Sequence, residues 1–175
     1  IDKETDRLAR LIDDVLDIAR LQSGQIQFQR SEVIVPEMIE VAIRSIHSLT
    51  IQKDLKVGIS LIDDLPVGFS DQDRLVQVVT NFLSNAIKFT PTGGEIQVRS
   101  RLSPEPDADT GGAMVEVSVS DNGVGIEESE IGKIFNRFQQ AGDTLPDRPH
   151  GSGIGLHISK EDRKSTRLNS SHTST

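Results

Sequence analysis

The sequence predicts a mixed α/β (α+β) fold on three observations. Segments with apolar residues at three-four spacing are interleaved with shorter runs that alternate in polarity, so helices and strands share one chain. Of the 175 residues, 35% are hydrophobic and 26% charged, the balance of a globular chain long enough to build a core unaided. Glycine-bearing strings stand between the periodic segments, where loops belong. Cysteine is absent, which removes thiolate catalysis, zinc ribbons and iron–sulfur ligation. A net charge of −8 argues against a nucleic-acid partner and against contact with an anionic membrane, and no apolar run approaches the roughly 18 residues of a membrane span.

Residues 4–22 place Leu8, Leu11, Ile12, Val15, Ile18 and Ala19 on one helical stripe, which Ser23 and Gly24 end. A short strand is expected over 26–30. Pro36 stands where a first helical turn tolerates proline, and Met38, Ile39, Val41, Ala42, Ile43, Ile46 and Leu49 carry a second helix. Val57, Ile59 and Leu61 alternate as a half-buried strand. Ser70, with Asp73 three residues on, resembles a capping box opening a third helix over 71–88. Leu75, Val76, Val78, Val79, Phe82, Leu83, Ala86 and Ile87 are expected on its apolar side, and Arg74, Gln77, Asn81, Asn85 and Lys88 on the opposite one. Strands over 95–102 and 113–121 follow, joined by the surface turn SPEPDADTGG. Residues 139–151 combine glycine and proline without apolar periodicity, as a lid does.

Four strings carry chemistry. Asn81, Asn85 and Lys88, at i, i+4 and i+7, project from one stripe; neutral amide oxygens suit a magnesium that takes its other ligands from phosphates, and the ammonium adds a charge for the same phosphates. By itself the stripe reads equally as a solvated helix face. In SDNGVGIEE, Asp121 can accept from an amine such as that of adenine, and Gly123 and Gly125 allow close backbone approach; a turn with an Asx cap is the alternative. In HGSGIGLHIS, Gly151, Gly153 and Gly155 bare amides that can cradle phosphate, although the spacing is neither the Walker nor the dinucleotide fingerprint. In IFNRFQQ, Arg137 stands between two phenylalanines, and could reach a terminal phosphate. The four histidines form no metal-binding spacing.

In this order, DRLVQVVTNFLSNAIKFTP, DNGVGIE, IFNRFQQ and GSGIGL resemble the N box, first glycine box, F box and second glycine box of the sensor histidine kinases, within the wider GHKL ATPase superfamily. ETDRLARLIDDVLDIARLQSGQ is similar to the second helix of that family's dimerisation and phosphoacceptor hairpin, so the resemblance covers roughly residues 2–160. It implies a Bergerat-type two-layer sandwich, a mixed β-sheet packed on three helices, with ATP and Mg2+ as cofactors. Residue by residue, it implies Asn85 on magnesium, Asn81 and Lys88 on the phosphates, and Phe89 beside the adenine. Asp121 would meet the adenine amino group, with Gly123, Gly125 and Ile126 on the pocket floor and Arg137 approaching the γ-phosphate. Gly151, Gly153 and Gly155 would hinge a lid in which Ser152 and Ile154 also line the nucleotide and Leu156 closes over it. Catalysis would be positioning and charge neutralisation of phosphoryl transfer.

The expected organisation is a partial hairpin helix over 1–24, a catalytic domain over 25–160 and a tail over 161–175, in which DRKSTRLNSSH resembles a translated sequencing adapter. The family's phosphoacceptor motif, His followed by an acidic residue and a Pro, is absent, so the chain is expected not to phosphorylate itself; the adapter-like tail stands where the family continues with the rest of a helix and further strands, so the chain is also expected to be C-terminally incomplete. Marginal stability and an unpaired strand edge are expected with it. The resemblance implies a cytoplasmic module of a homodimeric kinase, working on a His of the same kinase or its dimer mate and with a response-regulator receiver domain. Two other functions compete: a GHKL-type ATPase, which needs a water-activating Glu where this chain has Asn81, and a degenerate dimerisation module that binds no nucleotide.

Overall fold

Strand β1 (Ser31–Val33) leads directly into helix α1 (Val35–Gln52), whose proline lies in the first turn, where a missing N–H costs nothing. The architecture is that of a computed structural model, which describes residues 29–106 and 111–131. Val35, Met38, Ile39, Ala42, Ile46 and Thr50 bury one stripe of α1, while Val41 and Leu49 of the same apolar series are exposed. The helix stops at Lys53, and Asp54 takes a left-handed φ of 51° that turns the chain into β2 (Lys56–Ser60). Strand β3 (Gly68–Ser70) pairs antiparallel with β1, Val33 opposite Gly68.

Three expectations need correction here. A strand lies at Ser31–Val33, paired with β3, and Gln29 and Arg30, the end of the strand expected over 26–30, are irregular backbone; residues 26–28 lie outside the described residues. The third helix, α2 (Gln72–Phe89), is capped by Asp71 and not by Ser70: Asp71 Oδ1 accepts the Arg74 amide at 3.2 Å, and Oδ2 accepts the Gln29 amide at 3.0 Å. Ser70 is instead buried as the last residue of β3. Phe82, assigned to the apolar side of α2, is 37% exposed, so the buried stripe is narrower: Val79, Leu83, Ala86 and Ile87.

Strand β4 (Glu95–Leu102) runs parallel to β2 and antiparallel to β5 (Val115–Asp121), giving a mixed sheet of order β2-β4-β5. A parallel pair needs a crossover, which β3 and α2 supply. In β4 the alternation buries Ile96, Val98 and Ser100, and the Ser100 hydroxyl is satisfied by the Ile62 amide at 3.2 Å. Ile96 and Val98 join the buried stripes of α1 and α2 in one core, with Val115, Val117 and Val119 of β5 packed against it. Helices over a mixed sheet make the two-layer arrangement that the sequence predicts. Each fully buried Leu, Ile or Met in that core contributes about 1.5–3 kcal/mol.

Residues 29–125 form one compact unit; residues 126–131, with the four-residue helix α3 (Glu128–Ile131), belong to a second. The hairpin helix expected over 4–22, the lid over 139–151 and the tail over 161–175 lie outside the described residues. Among the described residues, no helix is long and apolar enough to cross a membrane.

Candidate functional site

Register explains how a carboxylate comes to lie beside α2. Directly opposed residues of an antiparallel pair share a face, and Asp121 stands opposite Ile96, in phase with Val115, Val117 and Val119. Asp121 therefore continues the helix-facing row of β5 at the point where the strand ends. Its Oδ1 accepts the Gly123 amide at 2.9 Å, the Asx turn that the local sequence allows, and Oδ2 has no partner among the described residues. The carboxylate thus holds its own loop with one oxygen and leaves the other unpaired among the described residues.

The loop it holds presses on the end of α2. A Cβ built on Gly123 would lie 2.6 Å from the Phe89 carbonyl oxygen, so only glycine permits this approach. The Val124 amide donates to that same carbonyl at 3.4 Å, and Gly125 follows with a left-handed φ of 69°. Asn122 fixes the loop from the other side: its Oδ1 accepts the Glu95 amide at 2.8 Å. The helix end and the glycine loop are one construction.

On α2, Asn81, Asn85, Lys88 and Phe89 are all half-buried, whereas Ser84 and Phe82 are exposed. The polar stripe is therefore not simply a solvated face. Lys88 Nζ lies 4.5 Å over the Phe89 ring, and burial holds its pKa below the usual 10.5. Among the described residues nothing hydrogen-bonds the Asn85 amide, and no group of three or more His, Cys, Asp and Glu could cage a metal. A neutral amide oxygen on a half-buried stripe fits a magnesium that keeps phosphate and water ligands, and does not fit an all-protein cage. At 1.5 Å per residue, Asn85 and Asn81 stand about 6 and 12 Å back along the axis from Phe89.

The structure thus brings Phe89, with Lys88 over its ring, against Gly123 and Val124 of the loop that Asp121 holds, and Asn81 and Asn85 lie on the same helix. Ile126 is exposed and belongs to the second unit. Arg137, Gly151, Ser152, Gly153, Ile154, Gly155 and Leu156 lie outside the described residues. Two residues that sequence reasoning missed are Asn122 and Lys53. Lys53 Nζ donates to the carbonyls of Ile87 at 2.6 Å and Lys88 at 3.0 Å, a contact across 34 and 35 residues that no local pattern announces.

Comparison with known proteins agrees with the fold. The family model described as histidine kinase-, DNA gyrase B- and HSP90-like ATPase matches residues 70–173, more than half of the chain. Drug sensory protein A of Synechocystis sp. is 38% identical over 162 residues, covering 90% of this chain and 24% of that protein. Sensor histidine kinase WalK of Bacillus subtilis is 31% identical over 159 residues, covering 90% and 25%. The chain spans about a quarter of the length of these two relatives. Among solved structures, full-length ShkA in complex with AMPPNP superposes with a TM-score of 0.76 at 25% identity, over 96% of this chain and 35% of that one. The catalytic domain of histidine kinase ThkA shares the fold, with a TM-score of 0.63 at 24% identity over 78% and 82% of the two chains.

Proposed function

The chain belongs to the histidine kinase-, DNA gyrase B- and HSP90-like ATPase family, and from that premise we propose that it is the ATP-binding catalytic module of a two-component sensor histidine kinase. The observation that carries the reading is the junction of Phe89 with Gly123 and Val124, which sets the end of α2, Lys88 included, against the loop that Asp121 holds. Asp121 accepts the adenine amino group, Phe89 flanks the ring, and Gly123 and Gly125 keep the floor open. Asn81 and Lys88 hold the phosphates, and Asn85 is the residue that would hold Mg2+, whose chemistry when bound is to offset charge on the phosphate oxygens. The roles expected of Arg137 and of the stretch from Gly151 to Leu156 belong to the same proposal on the resemblance of their strings alone.

The module's contribution to transfer is positioning. The γ-phosphoryl group passes from ATP to a ring nitrogen of a His carried elsewhere in the kinase or on its dimer mate, leaving ADP, and then to a receiver domain. Asn81 cannot serve as a general base at neutral pH, which favours transfer to a protein acceptor over activation of water. The working location is the cytoplasm, where ATP and the receiver are found. Thermal melting with and without Mg-ATP tests the reading: ligand at about 100 times its Kd adds ~2.7 kcal/mol, a rise of roughly 5–10 °C. The rise should vanish in Asn85→Ala. A cooperative melt indifferent to Mg-ATP would sink the proposal in favour of a nucleotide-free interaction module.

A further inference from the structure

The last four carbonyls of an α-helix have no partner within it, and α2 shows where each of them goes. Ala86 O accepts the Thr90 amide at 2.9 Å, and Phe89 O accepts the Val124 amide at 3.4 Å. The other two, Ile87 O and Lys88 O, are both taken by Lys53 Nζ, at 2.6 and 3.0 Å. One side chain from the end of α1 thus satisfies half of the C-terminus of the helix that carries Asn81, Asn85 and Lys88. The same residue reaches the turn leading into β4, since the Gly93 amide donates to the Lys53 carbonyl at 3.3 Å. That turn ends at Gly94, whose added Cβ would lie 2.9 Å from Asn122 Oδ1 in the glycine loop.

We infer that Lys53 is a positioning residue for the nucleotide phosphates, acting through the end of α2; the inference rests on the ATP-binding reading above. Two effects follow from its place. Its bond to the Lys88 carbonyl fixes the backbone from which the Lys88 ammonium projects. Its charge also offsets the negative end of the helix macrodipole, which would otherwise repel a polyphosphate lying along the last turns. Adenosine, which bears no phosphate, meets neither the Lys88 ammonium nor the charge at the helix end, and Asp121, which accepts its amino group in the proposed site, is held by its own bond to the Gly123 amide.

The test compares the full chain with Lys53→Met and Lys53→Arg, using calorimetric titration with Mg-ATP and, separately, adenosine, well below each variant's melting temperature. Lys53→Met should weaken Mg-ATP about five- to tenfold while adenosine changes by less than about twofold, the scale of a charge at a helix end. Lys53→Arg, which keeps the charge and donors, should recover most of the loss. Equal weakening of both ligands would mean a merely structural role and overturn the inference, as would unchanged Mg-ATP affinity in Lys53→Met. If the unsubstituted chain binds neither ligand, the ATP-binding reading itself falls and the inference with it.

Discussion

Asn122 pairs with Glu95 twice: its side-chain oxygen accepts the Glu95 amide at 2.8 Å, and its own amide donates to the Glu95 carbonyl at 3.2 Å. The antiparallel register of β4 and β5 puts these residues opposite each other one step beyond Ile96 and Asp121. A side chain thereby continues the ladder where the strand has already turned into a loop. Asn122→Ala leaves an amide that water can reach, so the expected loss is the net worth of one hydrogen bond, about 0.5–1.5 kcal/mol. Urea unfolding should give a lower midpoint with an unchanged slope. No change in midpoint would mean that the loop's other hydrogen bonds hold it without the Asn122 side chain.

The two glycines of the loop should fail for different reasons. At Gly123 an added methyl group meets the Phe89 carbonyl and the Asp121 carboxylate at 2.6 Å, and the carbonyl is backbone that cannot swing away. At Gly125 nothing lies within 4 Å, and the obstacle is only the φ of 69°. Gly125→Ala is therefore expected to cost about 1–2 kcal/mol from backbone strain, and Gly123→Ala about 1–3 kcal/mol from overpacking. Only Gly123→Ala should also part the loop from α2, which faster amide exchange at Val124 would register.

Asp71 is a cap with two clients, the Arg74 amide of its own helix and the Gln29 amide 42 residues away in sequence. Asp71→Ala should cost about 1–2 kcal/mol, toward the upper end for a cap, because two amides lose their acceptor. Asp71→Asn retains an acceptor oxygen for the Arg74 amide and should recover much of the loss. A thermal melt of the three proteins decides between this and a passive surface aspartate, for which all three would coincide.

The pattern of these contacts explains what could be read in advance. β4 and the Asn81–Asn85–Lys88 stripe were legible because each repeats a period over several turns or residues. β3 was not, since three residues are too few for a period and Gly68–Ser70 is a strand only because β1 lies beside it. The cap fell one residue late for the same reason: Ser70 and Asp71 both suit the role, and tertiary pairing of Ser70 with Ser31 leaves it to Asp71. Phe82 reads as core by spacing, yet it is exposed while Val79, Leu83, Ala86 and Ile87 of the same helix are buried. Lys53 is the clearest case. A lysine at the end of an amphipathic helix ordinarily faces solvent, and its work here exists only once α2 has been folded against it.

Asp121 separates support of the loop from recognition of the ligand within one carboxylate. Asp121→Asn retains an oxygen for the Gly123 amide, so stability should change by less than about 0.5 kcal/mol. It replaces the second oxygen with an NH2 donor, which faces the adenine amino group donor to donor and removes a charge-assisted bond worth about 1.5–3 kcal/mol. ATP affinity should therefore fall by about 10- to 150-fold with the melting temperature almost unmoved. A variant that lost stability in proportion to affinity would place Asp121 in the scaffold only.

Lys88 should show opposite signs for folding and for binding. Burial lowers its pKa from 10.5, so between the lowered value and 10.5 the unfolded chain binds more protons than the folded one, and stability rises with pH across that window. Below the window the folded protein carries the cost of a partly desolvated ammonium. Phosphate reverses the balance: it favours the charged form, so binding takes up a proton in the same window and Mg-ATP affinity falls as pH climbs through it. Lys88→Met keeps the apolar stem over Phe89 and discards the charge. It should hold or raise the melting temperature, remove the rise of stability with pH, weaken Mg-ATP at pH 7 about tenfold, and flatten the fall at high pH. Melts and titrations between pH 7 and roughly 10.5 measure both limbs. If Lys88→Met lost stability while binding Mg-ATP as tightly as before, the ammonium would be a structural cation at the helix end and the phosphate role assigned to it would be wrong.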